Sequence, residues 1–510
     1  MQTTTIRRRT FGLIALCLIL LITGIYFHHT SYDPTKDNDW KFFEKASKKP
    51  DQPPPNSKPD YDKENICANA NIELLTSSKE NWNGLSTKAI VLEKDGTYTS
   101  QDQLIKEGDY RCVAVLLVPM PATSTISPED HVGLADSIIL NAVGYNITIP
   151  IYLKQDPKHA NVYIASVRFT HADIYTLDGI TEYRSYFWEE PTHHSYQPES
   201  FKSDNVIKVL SQEVQPILPA CDMRKPENIE GSWMNKAAFQ HTYPLDFYGM
   251  FGPLQEDHAN DGYLYVPDKC RMEYIGVGQA AACFQDKIVH VWGDGNLRRN
   301  LKSFSNANRW CNDLIEPENP CICDDDDEDP THTLYPWAVD PSVPLKINST
   351  WYSNADFYFN NVDSIVSNDW KTVLEAQVGK TPKADLVILG LGNGDIPLSS
   401  VTPIQFEKTF SELLSYVLEK IYPHQTIILR TPQFFCCANI HTTSWNLGRS
   451  NEFALAVRNA AQRHGNRVLL WDVHKLGTTD NTCRSVGKPY SKRGVVTLEN
   501  LLLWNLVCGA

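Results

Sequence analysis

The sequence predicts an α/β protein whose C-terminal part is a three-layer α/β/α domain on a parallel sheet. Two observations carry this. From residue 285 to 510, short apolar runs alternate with helical stretches. The runs are Lys287–Trp292, Asp385–Leu391, Gln425–Arg430 and Arg467–Asp472; the helices are Asn296–Ser305, Pro403–Tyr422, Asn451–His464 and Leu498–Val507. Such alternation places parallel strands between two helical layers, with ligands at the carboxyl ends of the strands. The second observation is local: Thr402, Pro403 and Gln405 form a capping box with proline at the first helical position. Residues 306–384 interrupt the alternation and are expected as a long insertion over one end of the sheet.

Upstream, residues 67–215 hold short apolar runs between turn signals, among them Ala89–Leu92, Tyr110–Val118, Ile147–Leu153 and Val162–Phe169. Their length and spacing predict an antiparallel β-sandwich. Gly108-Asp109-Tyr110, leading into a strand with Cys112, resembles the late strand of an immunoglobulin-like domain. Residues 216–284, with Cys221 and Gly231-Ser-Trp233, are expected as a compact, disulfide-tied connector.

The N-terminal residues predict a membrane anchor. Residues 11–27 are uncharged and at the short end of what crosses a bilayer. Arg7, Arg8 and Arg9 precede them, which keeps residues 1–10 cytoplasmic and the C-terminal bulk lumenal or extracellular. No small-x-small cleavage site follows, so an uncleaved signal anchor is expected. Residues 28–66, rich in lysine and proline, are too polar to fold and form a disordered stem. The expected location is the secretory pathway, Golgi or cell surface, as a single-pass type II membrane glycoprotein. Twelve cysteines beyond Cys17 fit disulfides in an oxidising compartment. Asn146 and Asn348 head glycosylation sequons, and Asn481 a weaker one.

The net charge is −14, of which Asp324–Asp329 supplies six, and no basic patch interleaves with aromatics. This argues against a nucleic-acid partner. Cys321-Ile-Cys323 before the acidic run invites a metal, but calcium loops space their acids and turn on glycine. A solvated acidic loop is the expectation, with no metal and no cofactor. Cys436-Cys437 is expected in two separate bridges or as buried thiols.

Four stretches fall at predicted strand ends: Gly293-Asp294-Gly295, Gly392-Asn393-Gly394-Asp395, Arg430-Thr431-Pro432 and Asp472-Val473-His474. Gly295 begins a helix after a tight turn. Asn393 between two glycines reads first as a turn residue. Arg298 and Arg299 are placed to hold an anion or to pair with Asp294. His290, inside a strand, reads as a packed residue.

The order of sandwich, Cys…Gly-x-Trp connector and a strand ending in Gly293-Asp294 with Arg298 resembles the neurexophilin and PC-esterase domain (NXPE-type) family. That family lies within the SGNH/GDSL-like hydrolases. The resemblance spans about residues 85–510, including Trp504–Cys508. It implies a site where serine, histidine and aspartate move or remove acyl groups on glycans. The family serine falls on Gly295, and Asp472 matches the aspartate. The family histidine is expected within Lys488–Gly494, which has none; His474 shares a strand end with Asp472 as a substitute base. Asn393 matches an asparagine that helps bind the oxyanion. A glycine cannot form an acyl-enzyme. The resulting expectation is a non-catalytic esterase-like domain that binds a glycan or protein ligand. The alternative is an active glycan O-acyltransferase or esterase with a rearranged site.

Overall fold

The computed structural model describes residues 66–77, 79, 81–119, 136–184, 198–211, 218–242, 262–273, 275–305, 344–348, 355–398, 400–434, 446–477 and 493–509. The anchor, the stem, Cys311, Cys321, Cys323, Cys436, Cys437, Cys483, Asn481 and Asp324–Asp329 lie outside them. Among the described residues no helix is long and apolar enough to cross a membrane. The chain divides into Met1–Asp60 and Tyr61–Ala510; the second unit is described below.

A short helix α1 (Ile72–Ser77) precedes the first ten strands. These are β1 (Lys88–Leu92), β2 (Gln103–Lys106), β3 (Tyr110–Leu116), β4 (Asp136–Val143), β5 (Ile147–Pro150), β6 (Lys154–Gln155), β7 (Val162–Arg168), β8 (Ile174–Arg184), β9 (Glu199–Lys202) and β10 (Ile207–Leu210). Next come β11 (Gly231–Asn235), α2 (Lys236–Thr242), β12 (Tyr263–Pro267) and α3 (Val277–Cys283). One sheet has the order β1-β3-β7-β6. The other runs β12-β11-β5-β4-β8-β10-β2, with β9 also on β8. Pairing is antiparallel except between β10 and β2.

Burial explains why β1 reads Ala-Ile-Val-Leu without alternation. Ala89 and Val91 join a buried cluster with Ile138 and Leu140 of the opposite sheet. Ile90 and Leu92 join another, under Ile72, Leu75 and Trp82. A sheet covered on both faces needs apolar side chains at every position. Cys67–Cys112 fastens that cover to β3.

The stretch expected as a connector contributes strands instead. The β11–β12 hairpin pairs through β5 and extends the larger sheet. Trp233 is buried there, edge-on to Tyr265 at 5.4 Å between centroids. Cys221–Cys270 closes this segment.

The α/β domain follows with β13 (Ile288–Gly293), α4 (Gly295–Ser305), β14 (Leu345–Asn348), β15 (Asp356–Asn361), α5 (Trp370–Val378) and β16 (Leu386–Gly390). It ends with α6 (Pro403–Tyr416), β17 (Thr426–Arg430), α7 (Leu447–His464), β18 (Val468–Trp471) and α8 (Arg493–Cys508). The sheet order is β14-β15-β13-β16-β17-β18, parallel except for β14. Residues 306–384 thus carry two strands and a helix rather than a simple insertion. Near the edge, β15 is only half-buried, so its Asp-Phe-Tyr-Phe-Asn-Asn alternates and lacks the continuous apolar run of an inner strand.

Helices cover both faces. Val289, Val291, Leu386, Ile388 and Ile428 share a core with Leu297 and Leu301 of α4 and Leu498 and Leu501 of α8. Trp292, Val387, Leu389, Ile427 and Leu429 share the other with Phe406, Phe410, Phe453 and Val457 of α6 and α7. Fully burying each such side chain contributes about 1.5–3 kcal/mol. The capping box at Thr402 and Gln405 is present. A π-turn at Val417–Ile421 follows α6, and Tyr422 beyond it reaches under β13. There its hydroxyl accepts from Trp292 Nε1 at 3.0 Å and meets His290 Nδ1 at 2.7 Å. His290 is a packed sheet residue.

The sandwich caps a helix of the α/β domain. Leu447 N donates to Glu182 Oε2 at 2.9 Å, and Gly448 N donates to Ser137 Oγ at 2.9 Å. Ser137 Oγ in turn donates to Glu182 Oε2 at 2.7 Å. A buried carboxylate thereby answers the N-terminal amides and dipole of α7. Tyr152 adds a hydroxyl bond to Lys475 O at 2.8 Å. Glu182→Ala strips this acceptor from buried donors. Its unfolding free energy, read from urea denaturation, is expected to fall by about 2–3 kcal/mol.

Candidate functional site at the carboxyl edge of the parallel sheet

Strand β13 lies between β15 and β16, so the chain crosses to one side of β13 and then to the other. In an open α/β sheet that reversal opens a crevice at the carboxyl ends of the strands. Here the crevice falls between Gly293–Asp294 after β13 and Gly390–Asn393 after β16. The sheet topology therefore singles out two of the four stretches named from sequence.

Close packing explains the glycine ending β13. A Cβ on Gly293 would stand 2.6 Å from both Gly390 O and Leu297 Cδ2. Asp294 then caps α4, its Oδ1 accepting from Asn296 N at 2.9 Å and Leu297 N at 3.3 Å. Gly295 is the first residue of that helix. Arg298 is half-buried and Arg299 buried in its first turns. Arg430, from the end of β17, is a cation that the Asp294 carboxylate feels.

Across the crevice, Gly392 at φ 110° supplies the turn conformation, so Asn393 is not the left-handed residue there. Asn393 works through its side chain: Oδ1 accepts from Gln433 N at 2.9 Å and ties the β16 end to the β17 end. Its side chain also faces Asp294 and lowers that carboxyl's pKa. Among the described residues, neither Asp294 Oδ2 nor Asn393 Nδ2 has a partner within normal hydrogen-bond geometry. Burial pushes Asp294 up to about 6, against the opposing pull of Arg430, Asn393 and the α4 amides.

Asp472 and His474 lie one strand further out and turn to separate partners. Asp472 is fully buried, and Arg458 of α7 grips it bidentately at 2.7 and 3.0 Å. Thr431 Oγ1 adds a third bond at 3.2 Å. Burial alone would raise this carboxyl; Arg458 outweighs it and holds the pKa at about 2. His474 begins a 3-10 turn, its Nε2 3.1 Å from Ser450 Oγ and its ring edge-on to Phe434. Burial, then Arg458, lowers its pKa to about 3, so it stays neutral. Among the described residues no hydrogen bond joins Asp472 to His474. The expected shared face does not produce an acid–base couple, because each side chain is claimed from the helix side.

Ser450 and Arg458 were not singled out in the sequence. The signal for both was Asn446, whose side chain caps α7 at Arg449 N and starts the helix a turn earlier than expected. Arg430, a predicted strand end, is buried against Glu499 at 2.9 Å, and Asn300 Nδ2 donates to the same carboxylate at 2.8 Å. The described part of Lys488–Gly494 is the start of α8. Asn146 is exposed on the β4–β5 turn, and Asn348 ends β14. Among the described residues no cluster of His, Cys, Asp and Glu is arranged to hold a metal.

No known protein family matches this sequence, and no curated protein does. Solved structures similar to it include an inhibitor-bound aryl esterase of M. smegmatis, 14% identical, covering 42% of this chain and 96% of that one, TM-score 0.28. An acetyl esterase variant with an acetate ion is 13% identical over 43% and 98% of the two chains, TM-score 0.28. A family two carbohydrate esterase from Cellvibrio japonicus is 10% identical over 83% and 98%, TM-score 0.23. At these scores the likeness carries no argument, and the α/β fold rests on the strand order and register above.

Asp294 and Asp472 set opposite pH dependences. The native state keeps the Asp294 proton where the unfolded chain has lost it, so this group's contribution to stability falls as pH rises from about 4 to about 6. Asp472 contributes stability above the ordinary carboxyl range, and this is lost as pH falls toward about 2. Asparagine keeps the capping oxygen of Asp294 without the titration. The stability of Asp294→Asn relative to wild type is therefore expected to rise between about pH 4 and about pH 7, measured as the shift in urea midpoint.

Proposed function

We propose that this chain is a membrane-anchored glycoprotein of the secretory pathway whose α/β domain is an NXPE-type, SGNH/GDSL-like esterase scaffold. The scaffold serves to bind a glycan rather than to cleave one. An immunoglobulin-like sandwich stands before it. Supporting the placement are the apolar segment 11–27 behind three arginines and the exposed sequon at Asn146. The bridges Cys67–Cys112, Cys221–Cys270 and Cys283–Cys508 fit an oxidising compartment.

One observation carries the non-catalytic reading. Gly295 opens α4 where a nucleophile would stand, while Arg458 and Thr431 occupy the Asp472 carboxylate. An aspartate so engaged is not free to orient a histidine, and a glycine has no atom to acylate. The choice of a glycan rests on Asp294 Oδ2 and Asn393 Nδ2. They are a buried acceptor and a buried donor at the carboxyl edge of the sheet, and a hydroxyl both donates and accepts.

The test uses the full chain with 4-nitrophenyl acetate and with immobilised glycans. Wild type and Gly295→Ser are expected to release nitrophenol at the buffer rate, because an added hydroxyl still lacks a base. Glycan retention is expected to weaken about tenfold in Asn393→Ala. Wild-type ester release well above buffer and abolished by Asn393→Ala would overturn the reading.

A further inference from the structure

A pocket opens between the sandwich and the first turn of α7, lined by residues other than those of the sheet edge. Ile138 and Leu140 of β4 and Leu153 beyond β5 give it aliphatic walls, and Leu447 and Gly448 close it from the helix side. Among the described residues its one charged lining residue is Asp136, which is already engaged. Oδ1 accepts from Arg184 Nε at 3.2 Å, and Oδ2 accepts from the Tyr163 hydroxyl at 3.0 Å. Asn451, on the next turn of α7, contributes a half-buried side chain. Among the described residues that amide has no hydrogen-bond partner.

We propose that this pocket is a second binding site, for a small uncharged ligand with a branched apolar body and one amide head. The aliphatic walls take the body. The Asn451 amide offers a donor and an acceptor side by side, which a second amide answers with two hydrogen bonds. An anion would be placed near the buried Asp136 carboxylate, and a cation would find that carboxylate already paired. Pockets of this kind form preferentially where two domains meet. Leu447 and Gly448 are also the residues capped by Glu182 and Ser137, so a bound ligand touches both sides of that junction. Leu447 packs with Ile139 and Phe434, and the residue before Phe434 is the Gln433 held by Asn393. Occupancy is thereby connected to the crevice through a short run of packed side chains.

The probe is isovaleramide, compared with its anionic counterpart isovalerate, by saturation-transfer NMR on the full chain. Isovaleramide is expected to bind saturably in the millimolar range, with isovalerate at least tenfold weaker. Ile138→Trp fills the pocket and is expected to abolish binding. Asn451→Leu, at a half-exposed helix position that tolerates the change, is expected to weaken it about tenfold and decides the matter if the tryptophan variant does not fold. Absence of saturable wild-type binding, or equal affinity in wild type and Asn451→Leu, overturns the proposal.

Discussion

The carboxyl edge of the parallel sheet is held by two buried arginine–carboxylate pairs, Arg458 with Asp472 and Arg430 with Glu499. A lone charge at either place would cost several kcal/mol in so dry an environment, and removing one partner leaves the other stranded. The pairs therefore fix the ends of β17 and β18 against α7 and α8. The carboxylate at the end of β18 is spent on its arginine, and the neighbouring imidazole is sealed beneath it in neutral form. Among the described residues, the Asp294–Asn393 pair at the topological switch, on the other side of β16, keeps unused hydrogen-bonding capacity, as do Arg430 Nε and His474 Nδ1.

Much of the α/β domain was legible because its inner strands are near-continuous apolar runs, broken by His290 in β13 and by Thr426 and Arg430 at the ends of β17, and its helices carry standard end signals. Thr402-Pro403 and the runs ending at Gly293, Gly390, Arg430 and Trp471 fell within a residue or two of their predicted places. β15 was not legible, since a strand near an edge alternates like a surface strand and follows a long polar stretch. The β11–β12 hairpin was missed for a different reason. It pairs with β5, some eighty residues earlier, and no local periodicity reports a partner that distant. At the site, sequence named the right strand ends but not the side-chain directions. Asp472 and His474 looked like a pair because they lie two residues apart. Their orientations are set by Arg458 and Ser450, which reach them from a helix whose cap, Asn446, went unread.

The sandwich and the α/β domain are not beads on a string. Val289 and Leu498 belong to the same buried cluster as Ile138 and Trp233. Strand β4 illustrates the economy of this arrangement. Ile138 and Leu140 fill the sandwich core, Ile139 on the opposite face packs with Phe434, and Ser137 helps cap α7. A strand with duties on both faces leaves little freedom for the two parts to rotate against each other. Any ligand held at the crevice or at the junction therefore meets a surface whose shape is set before binding.

The bond between Cys283 and Cys508 has a mechanical meaning as well as a thermodynamic one. It joins the end of α3, where the chain enters the α/β domain, to the end of α8, across a sequence separation of 225 residues. Strands β13 to β18 all lie within that covalent loop. Tension transmitted along the backbone from the sandwich toward residues beyond α8 would pass from sulfur to sulfur and leave the sheet out of the load path. A pull that would unzip an open α/β sheet from its edge has to break a covalent bond first.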